Sequence, residues 1–208
     1  MSSSARQVDA VDKPSLRRAV LSRRAALPPD ERERTAAAAA ELLRPLLAGP
    51  VAAYLSVGTE PGTGPLLDAL AGHEVLLPVL LPDGDLDWSL AGDGLAPGPY
   101  GLLEPCGPRL GRDAVSCCTA LVVPALAVDR AGNRLGRGGG SYDRALSRAT
   151  GWVVALLHDG EAVTALPTEP HDRPVASFLT PGRGLVHLAG DRNEVGAADP
   201  AASLGVAP

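Results

Sequence analysis

Residues 134–143 combine two arginines, four glycines, a tyrosine and an aspartate, a mixture suited to holding phosphate. The glycines at positions 136, 138, 139 and 140 lack a Cβ atom, so the backbone there can adopt positive φ angles and bring its N–H groups close to an anion. Arg134 and Arg137 add planar groups that stay charged. An apolar strand predicted over residues 121–123 leads to this loop, and a predicted helix over 141–149 follows it with its partly positive N-terminus. The segment therefore predicts a phosphate-binding loop.

The loop differs from the two best-known glycine motifs. A Walker A loop ends in Gly-Lys-Ser/Thr, and residues 134–143 contain no lysine. The dinucleotide fingerprint G-x-G-x-x-G/A, counted from Gly136, meets Ser141 at its last position. A flexible surface turn would explain the glycines, but it would not explain Arg134 and Arg137.

Composition limits the classes of protein to consider. A chain of 208 residues with 45% hydrophobic content is enough for one domain with a continuous core. The net charge of −5 disfavours a nucleic-acid partner. No apolar run reaches the length of a membrane span and the N-terminus lacks a signal-peptide core, so we expect a cytoplasmic monomer that does not enter the membrane. Three cysteines, two of them adjacent, predict neither a disulfide framework nor a Cys-x-x-Cys metal pair.

Positive charge is concentrated near the N-terminus. The first 48 residues carry nine Lys/Arg and six Asp/Glu, which would suit a small phosphorylated ligand. Every basic side chain except Lys13 is arginine. A compact ammonium group makes point contacts with phosphate oxygens, so Lys13 is a candidate ligand, with an ordinary surface lysine as the alternative.

The apolar pattern predicts alternating strands and helices. Residues 1–12 and 191–208 are expected to be disordered, and residues 13–190 to form the domain. Two N-terminal helices are predicted, one over 13–27 with its four arginines on the polar faces, and one from Pro29 toward Leu47 that Pro45 shortens. The list of predicted strands is 51–56, 75–79, 86–90, 121–123, 152–157, 175–180 and 184–188. A short helix is expected over 65–71 and an irregular crossing over 82–112. This order predicts an α/β fold, a mainly parallel sheet flanked by helices in three Rossmann-like layers, with ligands at the carboxyl ends of the strands.

Several segments together resemble the 5-formyltetrahydrofolate cyclo-ligases, also called 5,10-methenyltetrahydrofolate synthetases. In chain order they are KPSLR (13–17), YLSVGTEPGT (54–63), GLLEP (101–105), GNRLGRGGGSYDR (132–144) and LPTEPHD (166–172). Their order and spacing match the family over roughly residues 13–185, which is far more specific than any one motif. The resemblance implies that 5-formyltetrahydrofolate and ATP are converted to 5,10-methenyltetrahydrofolate, ADP and phosphate, with phosphorylation of the formyl oxygen as the activating step.

The same resemblance implies roles for particular residues. ATP would contact Lys13, Arg17, Arg134, Leu135, Gly136, Arg137, Gly138, Gly139, Gly140, Ser141 and Tyr142. Reduced folate would contact Leu55, Glu60, Trp88 and Tyr142, the two aromatic residues because large flat side chains suit its rings. Mg²⁺ would be held by Asp143 and Asp172, and Arg137 and Tyr142 would take part in catalysis.

Two alternatives remain open from the sequence. Family members commonly have aromatic residues where this chain has Val128 and Ser141, so a nucleotide- or folate-binding paralogue with weak turnover is one alternative. A sugar-phosphate enzyme of similar architecture is the other, although it would not explain Lys13, Arg17 and Asp172.

Overall fold

The computed structural model describes residues 12–188. The predicted disordered ends, apart from Asp12, lie outside the described residues. The helices are α1 (Lys13–Ala25), α2 (Pro29–Leu43), α3 (Gly64–Ala69) and α4 (Ser141–Leu146), with short 3₁₀ helices at Arg44–Leu46, Pro99–Gly101 and Arg112–Cys117. The strands are β1 (Val51–Ala52), β2 (Val75–Leu80), β3 (Leu86–Leu90), β4 (Leu95–Pro97), β5 (Leu103–Pro105), β6 (Ala120–Pro124), β7 (Ala127–Val128), β8 (Arg134–Leu135), β9 (Trp152–Leu156), β10 (Ser177–Thr180) and β11 (Gly184–His187).

Seven strands form the main sheet in the order β11-β10-β9-β6-β1-β2-β3. The five inner strands are parallel, while the edge strands β3 and β11 run antiparallel to their neighbours. The mainly parallel sheet is confirmed. From β1 the chain moves to β2 on one side, and from β6 it moves to β9 on the other, so the strand order reverses between β1 and β6. Ligands of open α/β sheets bind at the carboxyl ends of the strands at such a reversal.

Successive residues of the inner strands point to opposite faces of the sheet, and each face has its own core. Val51 and Val122 pack with α2 and α3 on one face. Ala52 and Val123 pack with α4 and the 3₁₀ helix Arg112–Cys117 on the other. These layers confirm the three-layer α/β arrangement, and their near-continuous apolar strands are typical of parallel sheets buried on both faces.

Helix α1 packs outside these layers. Asp12 caps it by accepting a hydrogen bond from the backbone N–H of Ser15 at 2.8 Å. Its apolar residues Leu16 and Val20 pack against the small sheet formed by β7 and β8. The glycine loop follows β8 directly, so this packing sets α1 beside the loop.

Three predicted elements differ most from the observed ones. The strand expected over 51–56 ends at Ala52, because side chains beyond it satisfy the backbone: Thr63 Oγ1 donates to the carbonyl of Tyr54 at 2.7 Å. The helix expected over 141–149 ends at Leu146. The crossing expected to be irregular contains a hairpin of β4 and β5.

Candidate active site

A cavity of about 400 Å³ opens at the carboxyl ends of β1, β2 and β6. We call one part the basic end, formed by Arg134, Arg137, Gly138, Gly139 and Gly140. We call a second part the aliphatic end, formed by Leu55, Pro78, Leu80, Leu86 and Leu102. Glu60, Ser141, Tyr142 and Asp143 also line the cavity. One chamber therefore joins a surface for an anion to a surface for an apolar ring.

The backbone of the glycine loop depends on glycine at two positions. Gly138 and Gly140 have φ angles of 106° and 71°, which side-chain-bearing residues rarely adopt. The amide N–H groups of Gly138, Gly139 and Gly140 donate to no group within residues 12–188. They are consequently free to donate to an anion bound in the cavity.

Two arginines hold the loop in place from either side. Arg17 of α1 donates from Nε to the carbonyl of Gly136 at 2.8 Å. Arg144 of α4 donates from Nη2 to the carbonyl of Gly139 at 3.0 Å and to the carbonyl of Gly84, in the β2–β3 turn, at 2.7 Å. These contacts give the carbonyls of Gly136 and Gly139 arginine donors and fix the loop to α1 and α4.

The two loop arginines already have carboxylate partners. Arg134 is buried and donates from Nη2 to Asp143 Oδ1 at 3.0 Å, and its guanidinium lies 5.8 Å from the centre of the Tyr142 ring. Arg137 is half exposed and donates from Nε to Glu60 Oε1 at 2.9 Å. Glu60 is thereby joined to the basic end as well as to the folate side predicted from sequence.

Lys13 and Asp172 form the outer part of the site. Lys13 Nζ lies 2.7 Å from Asp172 Oδ2 and 3.0 Å from Oδ1. Burial alone would raise the pKa of Asp172, but hydrogen bonding from Lys13 and from the Glu169 amide lowers it below its ordinary value. The backbone N–H of Arg173 donates to Asp143 Oδ1 at 3.2 Å, so the two aspartates belong to neighbouring parts of one network.

Asp143 and Asp172, the predicted Mg²⁺ ligands, are the only carboxylates proposed to hold the ion. Between Asp12 and Leu188, no group of three or more His, Cys, Asp or Glu side chains is arranged to hold a metal ion. Both predicted ligands instead face cations, Asp143 facing Arg134 and Asp172 facing Lys13. Such a pair of carboxylates fits Mg²⁺ that takes its remaining ligands from nucleotide phosphates and water, and not an all-protein metal cage.

Tyr142 lines the cavity next to Arg134. Burial raises its pKa well above the ordinary value, and the nearby charge of Glu60 raises it further. The Tyr142 hydroxyl therefore stays neutral at physiological pH and keeps its proton for donation.

Six of the predicted site residues do not line the cavity. Lys13, Arg17, Gly136 and Asp172 lie next to it through the contacts above, which leaves their predicted ligand roles open. The Leu135 side chain is buried against Leu126 and Ala127. The glycine loop begins at the next residue, Gly136. The predicted contact of Leu135 with ATP therefore has no side-chain basis in this geometry.

Trp88 also lies elsewhere. It is 1% exposed and packs in the core on the α4 face of the sheet, whereas Leu86, two residues earlier in β3, reaches the cavity. The sequence of an edge strand does not show whether a single tryptophan packs in the core or lines a pocket. The geometry gives the predicted folate contact of Trp88 no support.

Sequence reasoning also missed residues that the structure brings into the site. Arg24 was predicted on a polar face of α1, but it is 1% exposed and lines the cavity. Tyr100, at φ 56° between β4 and β5, lines the opening and is 93% exposed. Glu104 of the GLLEP segment accepts a hydrogen bond from the Leu80 amide at 2.9 Å and ties the hairpin to β2. The hairpin thereby closes one side of the aliphatic end.

Comparisons with known proteins identify the class to which this site belongs. A sequence model of the 5-formyltetrahydrofolate cyclo-ligase family matches residues 9–181. The chain is 42% identical over 192 residues to a 5-formyltetrahydrofolate cyclo-ligase of Mycolicibacterium smegmatis, covering 85% of this chain and 97% of the relative. It is 34% identical over 175 residues to the enzyme of that name from Escherichia coli K12, covering 77% and 96%.

Solved structures agree. A 5,10-methenyltetrahydrofolate synthetase from Aquifex aeolicus superposes with a TM-score of 0.75 at 28% identity, covering 89% of this chain and 97% of its own. A synthetase from Mycoplasma pneumoniae, with a TM-score of 0.65 at 17% identity over 81% and 98%, shares the fold. The chain belongs to the 5-formyltetrahydrofolate cyclo-ligase family, and it is an enzyme of the ligase class. Within residues 12–188, no helix combines the length and hydropathy needed to cross a membrane.

Proposed function

We propose that the protein closes 5-formyltetrahydrofolate to 5,10-methenyltetrahydrofolate, using ATP and releasing ADP and phosphate. The observation that carries this proposal is the joining of the basic end and the aliphatic end in one cavity. A reaction that transfers a phosphoryl group to a folate needs both surfaces within reach of one another. The family relationship favours it over a sugar-phosphate enzyme, which would have no use for a large aliphatic surface.

The nucleotide is proposed to lie along the glycine loop. Its phosphates would accept hydrogen bonds from the amides of Gly138, Gly139 and Gly140, and Arg137 would neutralise charge on the group in transfer. Lys13 and Arg17 would extend this positive surface along α1. Because Arg137 is half exposed and Arg134 is buried, Arg137 is the arginine with more freedom to exchange its carboxylate partner for phosphate.

The folate is proposed to fill the aliphatic end. Leu55, Leu80 and Leu86 would contact its fused ring, and Tyr142 would pack at the boundary, next to the reacting formyl group. Glu60 would accept hydrogen bonds from the ring N–H groups. The neutral Tyr142 hydroxyl would donate to an oxygen there.

The chemistry requires activation of a poor electrophile. The formyl oxygen attacks the γ-phosphorus of ATP, and the bond from that phosphorus to the bridging oxygen breaks with release of ADP. N10 of the folate then attacks the activated formyl carbon, N10 loses its proton, and the phosphorylated oxygen leaves as phosphate. The enzyme's contribution is mainly positioning and charge neutralisation.

Mg²⁺ fits the site as a partner of the nucleotide. Asp143 and Asp172 would hold it, directly or through water, once their own cations turn toward phosphate. The bound ion would supply charge neutralisation on the phosphate oxygens. Without such an ion, the two carboxylates would repel a neighbouring triphosphate.

The sequence-based argument for a weakly active paralogue loses one of its two grounds. Val128 is fully buried and does not line the cavity, so the absence of an aromatic ring at this position removes no surface from the site. Ser141 does line the cavity, and so does Gly139, where some family members carry a lysine, so these two departures from the family pattern face the proposed ligands.

One assay tests the proposal. Purified protein is incubated with 5-formyltetrahydrofolate, ATP and Mg²⁺, and the absorbance of the methenyl product is followed. We expect product formation that depends on both ATP and Mg²⁺. Binding of both ligands without product would favour the paralogue, and an absence of ATP binding would contradict the proposal.

A further inference from the structure

A buried arginine of α1 lines the cavity but has no part in the reaction outlined above. Arg24 is 1% exposed, and it reaches the cavity beside Tyr54 and Ala125. A buried guanidinium is costly to remove from water, so its hydrogen-bonding groups need partners. The partners of each of its nitrogen atoms therefore indicate what the residue does.

Two of the three nitrogens are fully engaged. Nε donates to Glu161 Oε1 at 2.7 Å, and Nη2 donates to Glu161 Oε2 at 2.7 Å and to the Ala125 carbonyl at 2.6 Å. Nη1 donates to no group of residues 12–188, and it is not completely buried. The protein thus fixes the guanidinium with one nitrogen left for a ligand.

Helix α1 shows which ligand lies within reach. Lys13, Arg17 and Arg24 share one helix face, since steps of four and eleven residues return to nearly the same direction. Lys13 and Arg17 are about 6 Å apart along the axis, and Arg24 lies about 10 Å beyond Arg17. That second distance far exceeds the spacing of neighbouring phosphates, so Arg24 is placed past the triphosphate, toward the folate.

The surroundings of Arg24 offer a matched pair of hydrogen-bonding groups. Arg24, Tyr54 and Glu60 line the same cavity, so the guanidinium and the carboxylate are both available to one bound ligand. Glu60 offers an acceptor and Arg24 Nη1 offers a donor. The oxo-pteridine ring of a folate presents the complementary pattern, a carbonyl oxygen next to N–H groups.

We infer that Arg24 is a specificity-determining residue whose Nη1 donates to the 4-oxo oxygen of the folate's pteridine ring. This inference rests on the proposed function. The ring is the part of the folate that fits so buried a donor, because the charged glutamate end would lose its hydration there. Glu161 is then the positioning residue that holds the guanidinium in the required orientation.

The decisive experiment compares two ligands on the unmodified enzyme. Affinity is measured by titration for 5-formyltetrahydrofolate and for its 4-amino-4-deoxy counterpart, which replaces the acceptor oxygen by an amino group. A site built to donate to that oxygen rejects the amino form, and we expect at least about tenfold weaker binding. Equal affinity for the two ligands would overturn the inference.

Two variants then assign the preference to Arg24. Arg24→Lys keeps a positive charge opposite Glu161 but removes the outer guanidinium nitrogen, and Arg24→Met with Glu161→Gln removes both charges together. In either variant we expect the preference to fall to about threefold or less, with ATP affinity unchanged. Thermal unfolding identifies a variant that fails to fold, and the other one then decides.

A neighbouring arginine provides the matched control. Arg23 is 45% exposed, donates to the carbonyls of Asp159 and Gly160, and lies 3.6 Å from Glu161 Oε1. Arg23→Met leaves both 2.7 Å hydrogen bonds between Arg24 and Glu161 in place, so it should retain the preference. A preference retained in a folded Arg24 variant would refute the role of Arg24 while leaving the proposed reaction standing. If the unmodified enzyme bound neither folate, the proposed function itself would fail and the inference with it.

Discussion

The two ends of the cavity are built on different principles. At the basic end, the cationic side chains already hold partners: Arg134 holds Asp143 and Arg137 holds Glu60. At the aliphatic end, Leu80 and Leu86 have no polar partners and contribute only apolar surface to the cavity. In the proposed complex, ligand binding would exchange ion pairs at the basic end and exclude water at the aliphatic end.

This difference sets the size of the effect expected from a substitution. An ion pair that loses one member leaves a charge without its partner at low dielectric, so its effects are large. A shortened aliphatic side chain loses only contact area, so its effects are smaller. The substitutions below test this ordering, and a reversed order would contradict the comparison.

Asp143→Asn should have the largest effect. The change removes a proposed Mg²⁺ ligand and weakens the partner of Arg134 while retaining the size of the side chain. We expect kcat to fall by about 100-fold with the fold retained, and the thermal midpoint to fall as well because the buried Arg134 loses its charged partner. Turnover is measured across a Mg²⁺ titration.

The control for this substitution is Asp113→Asn. The Asp113 side chain is 91% exposed, and its Oδ1 lies 3.7 Å from Nε of Arg148. Asp113→Asn should leave turnover unchanged. Normal activity of Asp143→Asn at limiting Mg²⁺ would remove Asp143 from the proposed site.

Lys13→Ala should have a smaller effect that is confined to the nucleotide. Its ammonium pairs with Asp172 in the free enzyme and is proposed to meet phosphate in the complex. We expect the KM for ATP to rise about tenfold and the KM for folate to stay constant, as for loss of one hydrogen bond between charged groups. Arg18→Ala is the matched control on the same helix, since Arg18 is exposed and contacts Ser15. An unaltered KM for ATP would make Lys13 a structural partner of Asp172 alone.

Leu80→Ala tests the aliphatic end. The loss of three carbons from the pocket should raise the KM for folate by about fivefold and leave that for ATP unchanged. Leu95→Ala, in the exposed β4 strand, should change neither. If the KM for folate rose more in Leu80→Ala than the KM for ATP rises in Lys13→Ala, shape and not charge would dominate binding.

The smallest effect concerns the scaffold that both ends share. His158 is buried, with Nδ1 2.9 Å from Thr35 Oγ1 of α2 and Nε2 3.2 Å from the carbonyl of Thr59, next to Glu60. Burial lowers its pKa below the ordinary value of 6.5, so the unfolded chain binds a proton that the folded chain does not. The free energy of unfolding should be fully retained above pH 6.5 and fall below it, by at most about 1.4 kcal/mol per pH unit.

Denaturant unfolding between pH 4.5 and 7 measures this slope. His158→Gln should flatten it in that window, where the depressed pKa of Asp172 does not yet contribute because its carboxyl protonates only at lower pH. An equal slope in the His158 variant would assign the acid sensitivity to other groups.

The basic end was largely predictable from sequence because its elements are local. Glycine positions, the arginines between them and the following Asp143 lie within ten residues, so chain order alone brings them together. The parallel sheet was predictable for a related reason, since buried parallel strands are apolar along their whole length.

Apart from Leu55, which the family resemblance implied, the aliphatic end and Arg24 were not predictable, because tertiary packing decides them. Leucines such as Leu80 and Leu102 look like core residues, and only the reversal of strand order and the β4–β5 hairpin turn them toward a cavity. Arg24 neighbours Arg23 in the sequence, yet Glu161, 137 residues later, accounts for its burial. No local pattern distinguishes these two arginines.

The single Arg144 nitrogen that serves the carbonyls of both Gly139 and Gly84 has a mechanical consequence. Gly84 belongs to the turn whose flanking strands carry Leu80 and Leu86, so one atom joins the glycine loop to the turn beside the aliphatic end. A shift of either carbonyl lengthens its bond to this atom. The basic end and the aliphatic end are thus linked through Arg144, which does not itself line the cavity.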